Sequence, residues 1–145
     1  MSTKLIVGLD GSEPGERALT HAKHLSKLIG DCTIELVYII EWSPYSFQTP
    51  EENAMRHKRR EQEIKLASER VITPALETLK SEGYIASGRV LHGDAAELLN
   101  KVAVKEKAQQ IIVARSTETG IAAKLFGSVT AKLVMSASVP VTVVN

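Results

Sequence analysis

A single cysteine, Cys32, excludes a disulfide framework and every multi-cysteine zinc or iron–sulfur pattern. Aromatic residues make up only 4% of the chain, which argues against base-stacking platforms and aromatic-rich adhesive surfaces. Charge of one sign is equally lacking. Eighteen Lys+Arg stand against 17 Asp+Glu for a formal charge of +1, too small an excess for a nucleic-acid binder that must neutralise phosphates. No stretch approaches the ~18 consecutive apolar residues of a membrane helix, so no membrane partner is expected. Met1-Ser2-Thr3-Lys4 runs straight into a short apolar segment without the long apolar core of a secretory signal, and the expected location is cytoplasmic. What remains is a globular composition, 43% hydrophobic and 24% charged, with residues 1–145 expected to form one domain.

The apolar run at residues 4–9 (KLIVGL), closed by Asp10-Gly11-Ser12, reads as a buried strand and a turn. Ser12 is placed to cap a helix carrying Ala18, Ala22, Leu25 and Ile29 inward, with Gly30 as its stop. Residues 33–40 (TIELVYII) are β-branched and apolar, a second buried strand that leaves Cys32 beside it as a structural thiol. Thr49-Pro50-Glu51-Glu52 has the form of a capping box and opens a helical stretch to about Glu82, kinked or restarted at Thr73-Pro74. A short strand is expected near residues 88–91, then a helix capped by Asp94 with Leu98, Leu99, Val102 and Ala103 inward. Residues 110–114 (QIIVA) form another buried strand, Gly127-Ser128 open a helix to about Ser136, and Val139–Val144 is the last strand. Near-continuous apolar strands alternating with helices predict an α/β fold, an open parallel sheet with helices on both faces.

In such sheets ligands bind outside the carboxyl ends of the strands, where strand order reverses. The connection from Ala114 to Ser128 is far longer than the roughly two to six residues usual after a strand. Gly127-Ser128-Val129 at a helix N-terminus would offer free N–H groups to an anion, with Arg115 and Lys124 adding positive charge. Asp10, ending the first strand, reads either as a helix cap or as an acceptor for a ribose hydroxyl. The standard nucleotide motifs are absent: there is no G-x-x-x-x-G-K-[ST], and Gly8, Gly11 and Gly15 do not make G-x-G-x-x-G.

The basic run at residues 55–65 (MRHKRREQEIK) reads as a solvated helix face, because the whole-chain charge is balanced. His21 and His24 stand one turn apart without a third ligand, so no metal site is expected. His92 adjoins a crevice loop and reads first as a turn histidine. Ser12, Ser116 and Ser128 have no histidine at recognisable triad spacing, and no paired-carboxylate pattern stands out, so no catalytic residue is assigned. Nothing in these residues specifies an enzyme.

Three segments together resemble the universal stress protein family over essentially the whole chain: KLIVGLDGSEPGERAL, HGDAAELL and GSVTAKLVMSASVPVTVV. The resemblance implies a five-stranded parallel sheet of order 3-2-1-4-5, of the adenine-nucleotide α-hydrolase-like kind. It further implies a stress-response regulator whose cofactor is ATP or another adenine nucleotide such as AMP, with Mg²⁺ accompanying it. Members that bind ATP carry G-x-x-G, a nine-residue spacer, then G-[ST]; here Ala114 and Thr117 stand at the first two glycine positions and only Gly127-Ser128 match. Carried over residue by residue, the resemblance places Gly8, Asp10, Ile39, Ala114, Thr117, Gly127, Ser128 and Val129 at the nucleotide. Asp10 and Ile39 would meet ribose and adenine, and Gly127, Ser128 and Val129 the phosphates. In a left-handed conformation Ala114 would cost about 1–2 kcal/mol, and the β-branched Thr117 more. Two such costs would weaken binding about a hundredfold. The alternative is a dimeric family member that does not bind ATP and works as a protein-interaction module. In either case the resemblance implies a homodimer through Val139–Val144, an uncharged edge strand in which Pro140 is tolerated.

Overall fold

A computed structural model describes residues 2–9, 13–41, 49–115 and 121–145, and for residues 13–14 and 121–128 the backbone alone. The elements run β1 (Thr3–Leu9), α1 (Glu13–Ile29), β2 (Cys32–Glu41), α2 (Pro50–Ala67), a π-turn (Ser68–Ile72), α3 (Thr73–Ser81), β3 (Ile85–Gly93), α4 (Ala95–Lys105), β4 (Gln110–Ala114), α5 (Ile121–Ser136) and β5 (Val141–Val144). The five strands form one sheet of order β3-β2-β1-β4-β5, and every neighbouring pair is parallel. The chain builds outward from β1 through β2 to β3, then crosses back to lay β4 on the other side of β1. Strand order therefore reverses between β1 and β4, where Val7 pairs with Ile112.

Because strand side chains alternate, the sheet has two apolar faces. One carries Ile6, Val37, Ile39, Ile111 and Val113 against Leu99 and Val102 of α4 and Leu133 of α5. The other carries Leu5, Val7, Ile34, Leu36 and Ile112 against Ala18 and Ala22 of α1 and Leu79 of α3. Cys32 is buried on this second face, and burial pushes its thiol above the ordinary range, as befits an inert packing residue.

The caps read at Thr49 and Asp94 are present, while the one read at Ser12 lies outside the described residues. The Thr49 hydroxyl accepts from the Glu52 N–H and the Glu52 carboxylate accepts from the Thr49 N–H, both at 3.1 Å. Asp94 accepts from the Glu97 N–H at 2.9 Å. The expected kink at Thr73-Pro74 takes the form of the π-turn: Pro74 has no N–H, and one residue earlier the Thr73 N–H reaches back to the Ser68 carbonyl. Three boundaries differ from expectation. β3 extends over nine residues, because it pairs with β2 continuously from Thr33↔Ile85 to Glu41↔Gly93. β5 starts at Val141, because Pro140 has no N–H for a ladder and contributes only its carbonyl, which accepts from the Ile111 N–H at 2.9 Å. Helix α5 starts at Ile121, since the segment IAAKLF is rich in good helix formers and leaves Gly127-Ser128 in the interior. Among the described residues no helix is long and apolar enough to cross a membrane.

Candidate functional site

A cleft of about 290 Å³ opens at the carboxyl ends of β1, β2 and β4, beside the reversal of strand order. Gly8, Ile39 and Ala114 line it from the sheet, Ala95 and Leu99 from α4, and Val129 and Thr130 from α5. Four of the eight residues assigned by resemblance, Gly8, Ile39, Ala114 and Val129, are thus brought together by the fold. Asp10 and Thr117 lie outside the described residues. The backbone of Gly127 and Ser128 belongs to the second turn of α5, so the free N–H groups of that helix are those of residues 121–124 instead. Two other grooves on the opposite side of the sheet, about 470 Å³ and 490 Å³, are larger but contain none of the eight.

Gly8 is favoured by packing rather than by conformation. A Cβ there would stand 3.1 Å from both Leu99 Cδ1 and Val113 Cγ1, and it would occupy the floor of the cleft. Ile39 is 7% exposed and supplies a flat apolar wall. Ala114 lies in ordinary strand backbone opposite Val144, and Lys107 is the sole non-glycine residue with positive φ among those described. The conformational cost expected for Ala114 therefore does not arise. Its remaining effect is one methyl group in the cleft wall.

Charge at the mouth is arranged by three side chains. Asp94 is held below the usual carboxylate range, first by the Glu97 N–H and then by Lys132, whose Nζ is 3.5 Å from Oδ2. Glu41, at the end of β2 and on the cleft wall, is pushed up by burial and by the Asp94 charge, with Lys132 opposing. His92 turns away from the cleft toward α2, its Nε2 lying 3.9 Å from Glu63. Burial, then the Arg60 charge, holds its imidazole below the ordinary value, and Nδ1 is buried without a hydrogen-bond partner among the described residues. Of the basic run on α2, His57, Lys58 and Arg59 are exposed while Arg56 and Arg60 are half-buried.

One residue at this end of the sheet escapes sequence reading. Arg17 of α1 donates from Nη2 to the Arg115 carbonyl at 3.1 Å, bringing its guanidinium to the end of β4. The only trace in the sequence is its position directly before Ala18, at the border of the buried helix stripe.

Residues 1–145 match the universal stress protein family, and the chain belongs to it. It is 27% identical over 149 residues to the universal stress protein MJ0531 of Methanocaldococcus jannaschii, covering 98% of this chain and 81% of that one. Among solved structures, the universal stress protein UspA of Lactobacillus plantarum superposes with a TM-score of 0.82 at 16% identity, covering 99% of this chain and 97% of the other. A universal stress protein in complex with cAMP superposes with a TM-score of 0.63 at 20% identity, covering 99% and 97%. The shared arrangement is the adenine-nucleotide α-hydrolase-like fold, with the 3-2-1-4-5 sheet order that the resemblance implies.

Proposed function

We propose that this universal stress protein is a cytoplasmic stress-response regulator that binds an adenine nucleotide, ATP or AMP, in the cleft between β1, β2 and β4. The observation that carries the reading is the convergence of Gly8, Ile39, Ala114 and Val129 on that single cleft. Its volume, about 290 Å³, lies near the small end of ligand pockets and suits a nucleoside moiety, with phosphates directed outward. Ile39 provides the apolar surface against which a base packs, and the absent Cβ at Gly8 leaves room for it. Asp10, Thr117, Gly127 and Ser128 complete the proposed ligand shell. Mg²⁺, where it takes part, would be carried by the phosphates themselves, as is usual for this ion. The cofactor expectation is thus ATP or a shorter adenine nucleotide, with no catalytic residue assigned.

The test is calorimetric titration of the purified chain with adenosine, AMP, ADP and ATP, together with mass spectrometry of denatured samples for co-purified nucleotide. Adenine compounds are expected to bind, and Gly8→Val is expected to abolish binding by filling the cleft floor. Absence of binding at millimolar ligand in the wild-type chain would overturn the reading.

The second reading, a dimeric interaction module, is favoured by one specific observation. Val143 on the edge strand is 37% exposed, and Val134 and Met135 of α5 are 61% and 88% exposed. We propose that the edge Val139–Val144 pairs with a second copy, covering the unpaired backbone groups that an edge strand presents. Val143→Lys would place a charge in that contact, and light scattering should then report a monomer where the wild type is a dimer. A wild-type monomer at micromolar concentration would remove the proposal.

A further inference from the structure

Helix α2 is held to the sheet by apolar groups at its end and by polar ones before it. Its covered positions are Arg56, Arg60, Glu63, Ile64 and Ala67, which share one face of the helix; every other residue of Pro50–Ala67 is exposed. The two apolar members, Ile64 and Ala67, lie in the last turn, and Ile72 and Leu79 continue the packing beyond it. Of residues 50–62 only Arg56 and Arg60 are covered at all, so the first three turns rest on no apolar burial. What this polar face meets is His92 of β3, the edge strand of the sheet. The His92 side chain is 12% exposed, and its Nε2 lies 3.9 Å from Glu63 Oε2.

A neutral imidazole suits this place and a charged one does not. The Arg60 and Arg56 charges oppose its protonation, the Glu63 charge favours it, and burial removes the water that would solvate an imidazolium. Its surroundings add no further carboxylate of their own. The β2 residue paired with His92 is Ile40, and the segment 42–49 between β2 and α2 contains no Asp, Glu, Lys, Arg or His. Glu41 and Arg70, of opposite sign, line the groove beside Glu63 together with Tyr38, and Asp94 is engaged with Lys132. We propose that His92 is an acid-sensitive clasp for the first part of α2: on protonation residues 50–62 leave β3, while Ala67, Ile72 and Leu79 hold the remainder in place. Release frees the basic run Arg56–Arg60 from the sheet. It also slackens the tether 42–49, which joins α2 to Glu41 on the cleft wall.

Hydrogen exchange of the full chain on either side of about pH 6.5, corrected for the intrinsic pH dependence of amide exchange, tests the clasp. Protection of amides 54–62, read against those of α4 in the same sample, is expected to fall severalfold in the wild type on the acid side. In His92→Asn it should not change. In Arg60→Gln the fall should be smaller, because the imidazolium then meets one guanidinium fewer. Glu63→Gln should enlarge it, by removing the carboxylate that favours the charged form. Unchanged protection in the wild type, or an equal fall in His92→Asn, would overturn the clasp. A fall shared by α4 would overturn it too, since that marks unfolding of the whole chain rather than release of α2. Where His92→Asn does not fold, the two helix variants decide: equal falls in Arg60→Gln and Glu63→Gln would show that the charges around His92 do not govern the release.

Discussion

The two ends of the sheet use charge in opposite ways. At the amino ends of the strands, Lys4 Nζ lies 2.9 Å from Glu106 Oε2, while Arg89 Nη2 lies 3.0 Å from Glu106 Oε1 and 2.7 Å from Glu35 Oε1. The set is closed on itself: two cations and two carboxylates tie β1, β2 and β3 to the end of α4. Lys4 and Arg89 hold the Glu106 carboxyl below its ordinary range, and the Glu35 carboxylate raises the Arg89 guanidinium in return. At the carboxyl ends, Arg17 donates to a neutral main-chain carbonyl, that of Arg115, and takes part in no ion pair among the described residues, while Glu41 faces Asp94, a charge of its own sign. Charges that satisfy one another add to the fold and have nothing left to offer. Charges that do not satisfy one another are left to solvent or to an incoming molecule.

The sharpest way to break this contrast is Arg89→Met. It strands Glu35, whose side chain is 5% exposed and whose Oε2 already lacks a partner among the described residues. The expected loss is about 3 kcal/mol, the low end for breaking a buried pair because the guanidinium itself is partly solvated. Urea unfolding measures it, and the double variant Glu35→Gln, Arg89→Met should recover part of the loss. A loss under ~1 kcal/mol would mean that the amino-end network is no more than a surface feature. Removing a charge at the other end should cost less. Asp94→Ala deletes the cap of α4 and the partner of Lys132, for about 1 kcal/mol in the same assay.

The smallest expected effect is a pH dependence centred on His92. Its folded value lies below the ordinary one, so the unfolded chain binds more protons in the interval between the two. Stability should therefore decline as pH falls through about 6.5 toward the folded value, and level off below it. In His92→Asn the thermal midpoint should change less over the same interval. An identical profile in the two proteins would show that the imidazole protonates in the folded state without cost.

Much of the architecture was legible because its signals are local. The caps at Thr49 and Asp94, the stops at Gly30 and Gly83 with φ of 94° and 92°, and the apolar runs of β1, β2 and β4 are set by neighbouring residues. Other features depend on distant partners. Residues 85–93 (IASGRVLHG) have weak strand character, and their conformation comes from pairing with β2 along its length. Glu35 looks like an interruption of an apolar run until Arg89, 54 residues later, is seen to meet it. Four of the eight residues assigned by resemblance line one cleft, while Arg17 reaches the Arg115 carbonyl across 98 residues and leaves no spacing to read. The start of α5 was misplaced because Gly127-Ser128 looks like a cap, and the helix-forming residues before it outweigh that signal.

The π-turn has a consequence for how this chain tolerates change in length. Ala67, Ile72 and Leu79 are all buried, although residues five apart on a regular α-helix point about 140° away from each other. The turn absorbs that mismatch, so the two helical segments keep separate azimuths joined by a splice. Losing any one residue from 68–72 would restore a uniform helix and swing everything before it by about 100°. Glu63 would then leave His92, while Leu79 kept its seat. In this stretch orientation is encoded by a count of residues, and a conservative deletion would do what no single substitution can.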